Sequence, residues 1–175
     1  MKDILARAAQ IKLVVFDVDG VLTDGSLFIG DDGEEYKAFF SKDGFGMKLL
    51  QNTGVEIGII TARTSRVVRH RMESMNIKHI YQGRLEKLPA LEEMVKRVGI
   101  SFDETAYVGD DVIDLPAMRR VGLAISVQDA HPLAKQHSHW QTPNPGGRGA
   151  ARDVCELIME AQNTLQAQFD KYLYD

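Results

Sequence analysis

What most constrains this chain is a regular alternation. Short apolar runs rich in β-branched residues, LVVF (13–16), VEIGII (55–60), HIY (79–81), TAYV (105–108) and LAISV (123–127), are separated by stretches whose apolar residues recur at helical spacing. Runs this short and this uniformly apolar read as strands buried on both faces, as in a parallel sheet covered by helices. The stretches between them carry helix punctuation. Thr64 or Ser65 stands at the start of SRVVRHRMESM, and Gly99 closes LEKLPALEEMVKRV. Alternating strands and helices imply right-handed crossovers and so an α/β fold, a three-layer, doubly wound, Rossmann-like parallel sheet. Ligands bind such a sheet beyond the carboxyl ends of its strands, so the chemistry should lie just after each apolar run.

Two segments depart from the alternation. SLFIGDDGEEYKAFF (26–40) has extended stretches on either side of a turn-forming GDDG and reads as a β-hairpin insertion, too small for a cap domain. TPNPGGRGAARD (142–153) is Gly-rich and precedes a long helical pattern through Ala167, with FDKYLYD as a loose tail; together they make a C-terminal helix and tail over about 149–175. The 175 residues fit a single domain, 1–175.

Charge and composition exclude several classes. With 25 acidic against 21 basic residues and no Lys/Arg cluster, the chain is no match for a nucleic-acid backbone. MKDILARAAQIK lacks the apolar core of a signal peptide, and no apolar run approaches the roughly 18 residues of a membrane span, so a cytoplasmic, non-membrane protein is expected. Cys155, the only cysteine, cannot form an internal disulfide and reads as a buried, inert thiol in VCELIM.

Residues able to do chemistry follow the strands in order. FDVDG puts Asp17 and Asp19 at the end of the first strand, their side chains on the same side by alternation, with Gly20 for a tight turn. Two carboxylates so close repel, and a hard cation such as Mg²⁺ is the usual compensation. Thr61 in IITART can offer a hydroxyl to a phosphoryl oxygen, although such a residue commonly serves only as a cap. Lys87 opens a helical pattern; beside a nucleophilic carboxylate it would neutralise a transferring phosphoryl group. YVGDDVIDLPAM places Asp110, Asp111 and Asp114 after a later strand, more carboxylates than a helix cap needs.

This conjunction, with FDVDGVLTD matching almost letter for letter, resembles the four motifs of the haloacid dehalogenase superfamily. The resemblance implies a haloacid dehalogenase-type fold without a cap. It makes Asp17 the nucleophile and a Mg²⁺ ligand, and Asp19 a metal ligand through its backbone carbonyl and a general acid and base. It has Thr61 and Lys87 hold the phosphoryl group, and Asp110 complete the metal site with Asp111 and Asp114 in support. The second motif reads TAR where many members have glycine after the threonine.

DVDGVLTDG followed at once by the hairpin, SKDGFGMKLL, ITARTSRVVRHRMESMNI, GRLEKLPAL, GDDVIDLPAM and GGRGAARDVCELI extend the likeness over nearly the whole chain, to a small capless branch. Members of that branch remove phosphate from an acidic eight-carbon sugar, 3-deoxy-D-manno-octulosonate 8-phosphate, used for lipopolysaccharide. They work with Mg²⁺ as homotetramers whose hairpins and C-terminal tails help close neighbouring sites.

An acidic sugar substrate suits the basic residues Lys42, Lys48, Arg63, Arg66, Arg69 and Arg71 near the strand ends. Arg63, Lys42, Asp43 and Gly44 are the first choices for binding it, with Phe40, Ser41, Lys48 and Arg71 beside them. A neighbouring subunit is expected to finish the pocket, through the apolar hairpin or the Gly-rich segment around Arg148, read as a flexible point. His131, His137 and His139 lack acidic or Cys partners for a transition-metal site, and Trp140 reads as core. A sialic acid 9-phosphate phosphatase is the alternative enzyme. A phospho-signalling receiver is disfavoured by motif order, because Lys87 precedes the second acidic cluster.

Overall fold

The structure is a computed structural model and describes residues 1–174. Six strands form one sheet: β1 (Leu13–Phe16), β4 (Glu56–Ile60), β5 (His79–Tyr81), β6 (Thr105–Gly109), β7 (Leu123–Ser126) and β8 (Trp140–Gln141). Their order is β5-β4-β1-β6-β7-β8, and every pairing is parallel. The chain therefore winds outward from β1 in one direction, then returns to β6 and winds the other way. This is the doubly wound topology expected from the alternation.

Helices α1 (Lys2–Ala8), α2 (Ser41–Gln51) and α7 (Ala150–Ala161) pack together, as do α4 (Lys87–Val98) and α5 (Leu115–Met118), which follows a 3₁₀ turn at Val112–Asp114. The remaining helices are α3 (Arg66–Ser74), α6 (Pro132–Gln136) and α8 (Leu165–Leu173). All four β1 residues and all four β7 residues are buried, which is why those runs are uniformly apolar. Gly99 ends α4 with φ 77°, a left-handed conformation that costs glycine nothing.

The hairpin forms as β2 (Phe28–Ile29) and β3 (Glu35–Tyr36), antiparallel and two residues each. Three elements differ from the sequence reading. β8 has no apolar run to announce it; two residues pair with β7, and Trp140 packs at the edge of the core half-buried. The terminal helical pattern is not continuous through Ala167: Asn163 turns the chain at φ 56°, and Gln162 Nε2 donates to Ile11 O at 2.7 Å. The segment read as a loose tail is helical to Leu173, because Phe169 packs on the core and the Tyr172 ring meets Phe45 edge-on at 5.4 Å; Asp175 lies outside the described residues.

Candidate active site

The strand order reverses between β1 and β6, which pair directly, Phe16 opposite Val108. Each runs straight into a functional loop, Asp17 following β1 and Asp110 following β6, so the two loops leave the sheet side by side. Thr61 follows β4, its backbone N–H donating to Tyr81 O (3.0 Å) and its carbonyl accepting from Arg84 N (2.9 Å). Lys87 is the first residue of α4. Gly20 holds the turn at φ +90°, and a β-carbon there would lie 2.1 Å from Asp110 Oδ2.

The centre of the site is a buried charge network. Asp17 Oδ1 accepts from its neighbour Val18 N at 2.7 Å, and Oδ2 lies 2.5 Å from Lys87 Nζ. Lys87 is 1% exposed and also donates to Asp114 Oδ1 at 2.7 Å. Asp114 accepts three more bonds, from the Tyr107 hydroxyl (2.8 Å), Asp110 N (3.1 Å) and Asp111 N (3.2 Å). Its two oxygens are thus committed to holding Lys87 and the β6 loop. Asp111 is exposed, and its Oδ1 caps the 3₁₀ turn by accepting from Val112 N.

Carboxylate oxygens of Asp17, Asp110 and Asp114 all lie within 4.8 Å of one another. Burial, then the Asp114 charge, pushes Asp17 up to about 7 against the pull of Lys87. Burial, then Asp114 and Asp17, pushes Asp110 up to about 8. For Lys87, burial works against the charge, but Asp17 and Asp114 outweigh it and raise its pKa. Three carboxylates against one ammonium leave excess negative charge in a water-poor site, and an all-oxygen donor set of this kind fits Mg²⁺. Asp17 and Asp110 are the side chains with oxygens to spare for it.

Asp19 is held separately. Its Oδ1 is ion-paired to Lys37 just after β3, and Lys37 Nζ also lies 2.8 Å from Glu35 Oε1. The pair of carboxylates in FDVDG is therefore neutralised by two different lysines, one from α4 and one from the hairpin. Neither Lys37 nor Tyr107 was singled out in the sequence. Tyr107 is visible there only as a polar group within a buried strand, and nothing local marks Lys37.

The expected sugar-binding residues divide. Ser41, Gly44, Lys48 and Arg71 line one groove along α2 and α3, whose lining does not include Asp17, Lys87 or Asp110. Phe40 precedes α2 in extended backbone and Lys42 is exposed in its first turn. The Arg71 guanidinium lies 5.9 Å from the centre of the Phe39 ring. Arg63 reaches Glu35 on the hairpin at 3.5 Å, Arg66 pairs with Glu34 at 2.6 Å, and Arg69 lies 3.7 Å from Glu73. Asp43, expected to face the substrate, is instead buried and accepts from Gly149 N (3.2 Å) and Arg152 N (2.9 Å). It satisfies otherwise orphaned N–H groups at the start of α7.

The Gly-rich segment is no loose arm. Gly147 N donates to Val21 O (2.8 Å), Gly146 N to Asp129 Oδ1 (2.9 Å), and Arg148 pairs with Asp24 at 3.3 Å, all within the chain. Gly147 has φ +63°, and a β-carbon there would strike the Thr23 backbone at 2.3 Å. Two of the clustered histidines accept backbone bonds, His131 from Leu133 N and His139 from Ala124 N. Cys155 is buried in α7, and burial holds its thiol protonated.

Comparison with known proteins decides the family. A haloacid dehalogenase-like hydrolase profile matches residues 74–152. The 3-deoxy-D-manno-octulosonate 8-phosphate phosphatase of Yersinia pestis is 43% identical over 164 residues, 94% of this chain and 88% of that protein. This chain belongs to that phosphatase family, among the haloacid dehalogenase-like hydrolases. The phosphatase of the same name from Escherichia coli strain K12 is 44% identical over 93% of this chain and 87% of its own length. A crystal structure of the Moraxella catarrhalis phosphatase, in complex with a magnesium ion, a phosphate ion and a KDO molecule, superposes with a TM-score of 0.96 at 41% identity and covers 98% of this chain and 99% of that one. The family likeness thus extends through the hairpin and α8, not only the motifs. Among the described residues no helix is long and apolar enough to cross a membrane.

Proposed function

We propose that this phosphatase acts in the cytoplasm with Mg²⁺ and removes the 8-phosphate of 3-deoxy-D-manno-octulosonate 8-phosphate, for lipopolysaccharide synthesis. The reading is carried by the Lys87 ammonium, 2.5 Å from Asp17 and 2.7 Å from Asp114 at the topological switch point. It leaves Asp17 beside a fixed positive charge, where a phosphoryl group would need one. The substrate follows from the names of the relatives and from the KDO and phosphate bound to the Moraxella phosphatase.

Asp17 attacks phosphorus, the bond from phosphorus to the sugar oxygen breaks, and that oxygen takes a proton from Asp19. Water then attacks the phosphorus of the aspartyl phosphate and gives its proton to Asp19, releasing inorganic phosphate and the Asp17 carboxylate. Thr61 and Lys87 hold the phosphoryl oxygens throughout. Asp17, Asp110 and the Asp19 backbone carbonyl would hold Mg²⁺, which when bound screens the repulsion between carboxylate and phosphate.

Arg63 and Lys42, with Phe40, Ser41, Gly44, Lys48 and Arg71, form the sugar-acid side of the site. Asp43 is not among them, because its carboxylate caps α7. The chain functions as a single domain and assembles as a homotetramer in which hairpins and C-terminal segments complete neighbouring sites. In support, Leu27, Phe28, Ile29 and Tyr36 of the hairpin and Tyr172, Leu173 and Tyr174 at the end are all exposed, a poor surface for a monomer. Phosphate release from the eight-carbon sugar acid phosphate, compared with a neutral sugar phosphate, tests the function. Equal efficiency on both would defeat the substrate assignment, and a fully active monomer in light scattering would defeat the shared site.

A further inference from the structure

We propose that Lys37 is a positioning residue through which the hairpin aims Asp19 at the leaving group; this rests on the proton-transfer role given to Asp19 above. The Lys37 side chain has 0% exposure although the hairpin that carries it is mostly solvent-facing. A lysine is almost never fully buried without partners, and here both partners are carboxylates, Asp19 and Glu35. Among the described residues, Lys37 is the only group hydrogen-bonded to the Asp19 side chain. Asp19 itself stands in an irregular turn between β1 and β2, where no regular element restrains its torsions. The ammonium selects one orientation of the carboxylate.

A mere latch between hairpin and body would not need this geometry. The hairpin is already tied down at Glu34 by Arg66 (2.6 Å) and at Glu35 by Arg63 (3.5 Å), both pairs more exposed than the Lys37 contact. Lys37 alone carries the hairpin's charge inward to the reacting loop. Glu35, shared between Lys37 and Arg63, joins the loop after β4 to the same chain of charges. The hairpin thereby has a task inside its own subunit, besides any contact with another. Displacing a catalytic group by about 1 Å commonly costs on the order of 10²-fold in rate, so the loss of Lys37 should be felt in the step that moves the proton.

The test follows the first turnover, the release of the leaving group before water attacks the aspartyl phosphate, on the Mg²⁺-loaded protein with two substrates, the sugar acid phosphate, whose alkoxide needs a proton to leave, and p-nitrophenyl phosphate, whose phenolate does not. Lys37→Met should lower the first-turnover rate of leaving-group release from the sugar phosphate by about 10- to 100-fold and from p-nitrophenyl phosphate by less than about threefold. Lys37→Arg, which keeps the charge, should move the ratio of the two rates back towards wild type. Because the ratio is read on one preparation, a variant that folds only in part still reports it. Equal losses on both substrates, no loss on either, or a Lys37→Arg ratio no nearer wild type than that of Lys37→Met overturns the inference. Asp19→Asn run alongside separates the two claims. If it is selective for the sugar phosphate and Lys37→Met is not, the positioning role fails alone; if it is unselective, the role of Asp19 fails and takes this inference with it.

Discussion

Gly20 faces Asp110 so closely that a β-carbon on it would stand 2.1 Å from Asp110 Oδ2. The loops after β1 and β6 interlock at this point, so the spacing between Asp17 and Asp110 depends on a missing side chain. Gly20→Ala must both hold φ near +90° and push Asp110 aside. It should destabilise the fold by roughly 1–3 kcal/mol and weaken Mg²⁺ activation at least about tenfold. Thermal melts and a Mg²⁺ titration of the rate read the two effects, and unchanged metal activation would show that Asp110 is not a ligand.

Asp17→Asn should cost at least about 10³-fold in turnover while the fold remains intact, since an amide cannot accept the phosphoryl group. Lys87→Met behaves differently because it removes the cation paired with two buried carboxylates, Asp17 and Asp114. Breaking such a pair costs about 3–5 kcal/mol of stability. The loss should be larger at pH 8 than at pH 6, where Asp17 can relieve the charge by taking a proton. A melt that is insensitive to pH in this variant would contradict the charge network described.

Proton competition governs metal binding. Without metal, the folded protein keeps Asp17 protonated up to about 7 and Asp110 up to about 8, whereas the unfolded chain releases these protons near the ordinary value of 3.8. Between those limits the native state binds more protons than the unfolded state, so metal-free stability falls as pH rises from about 4 to 8. Mg²⁺ must displace the same protons. Its affinity should climb by roughly 50-fold from pH 6 to 7, where both protons must leave, and by roughly tenfold from pH 7 to 8, and level off above, with proton release seen by calorimetry in buffers of different ionisation enthalpy. An affinity independent of pH over that range would rule out these two carboxylates as ligands.

Asp43→Ala discriminates a helix cap from a substrate contact. Loss of the cap on α7 should lower stability by about 1 kcal/mol, or a melting shift of about 2–4 °C for a chain of this size, with KM within about twofold of wild type. A raised KM with unchanged stability would return Asp43 to the substrate site.

The buried runs were legible because a parallel strand covered on both faces can be little else than apolar, and the alternation then dictated sheet and helix layers. Asp17, Thr61, Lys87 and Asp110 were legible as strand-end or helix-start residues, because the carboxyl edge of such a sheet is where polar groups gather. β8 escaped notice because two residues make no periodicity, and the break at Asn163 because a single left-handed residue inside an apolar pattern leaves the pattern intact.

Partnerships across long stretches of chain belonged to the tertiary structure alone. Asp43 could be a ligand for sugar or for a helix end until α7 came to rest on α2, more than a hundred residues later in the chain. Asp17 and Asp19 looked like one repelling pair sharing one cation, whereas folding gives each its own lysine, Lys87 for the first and Lys37 for the second. Local sequence can specify which way a side chain points along a strand, since that follows from the period of the backbone. It cannot specify which distant charge will meet that side chain, because that depends on how the loops close over a common core.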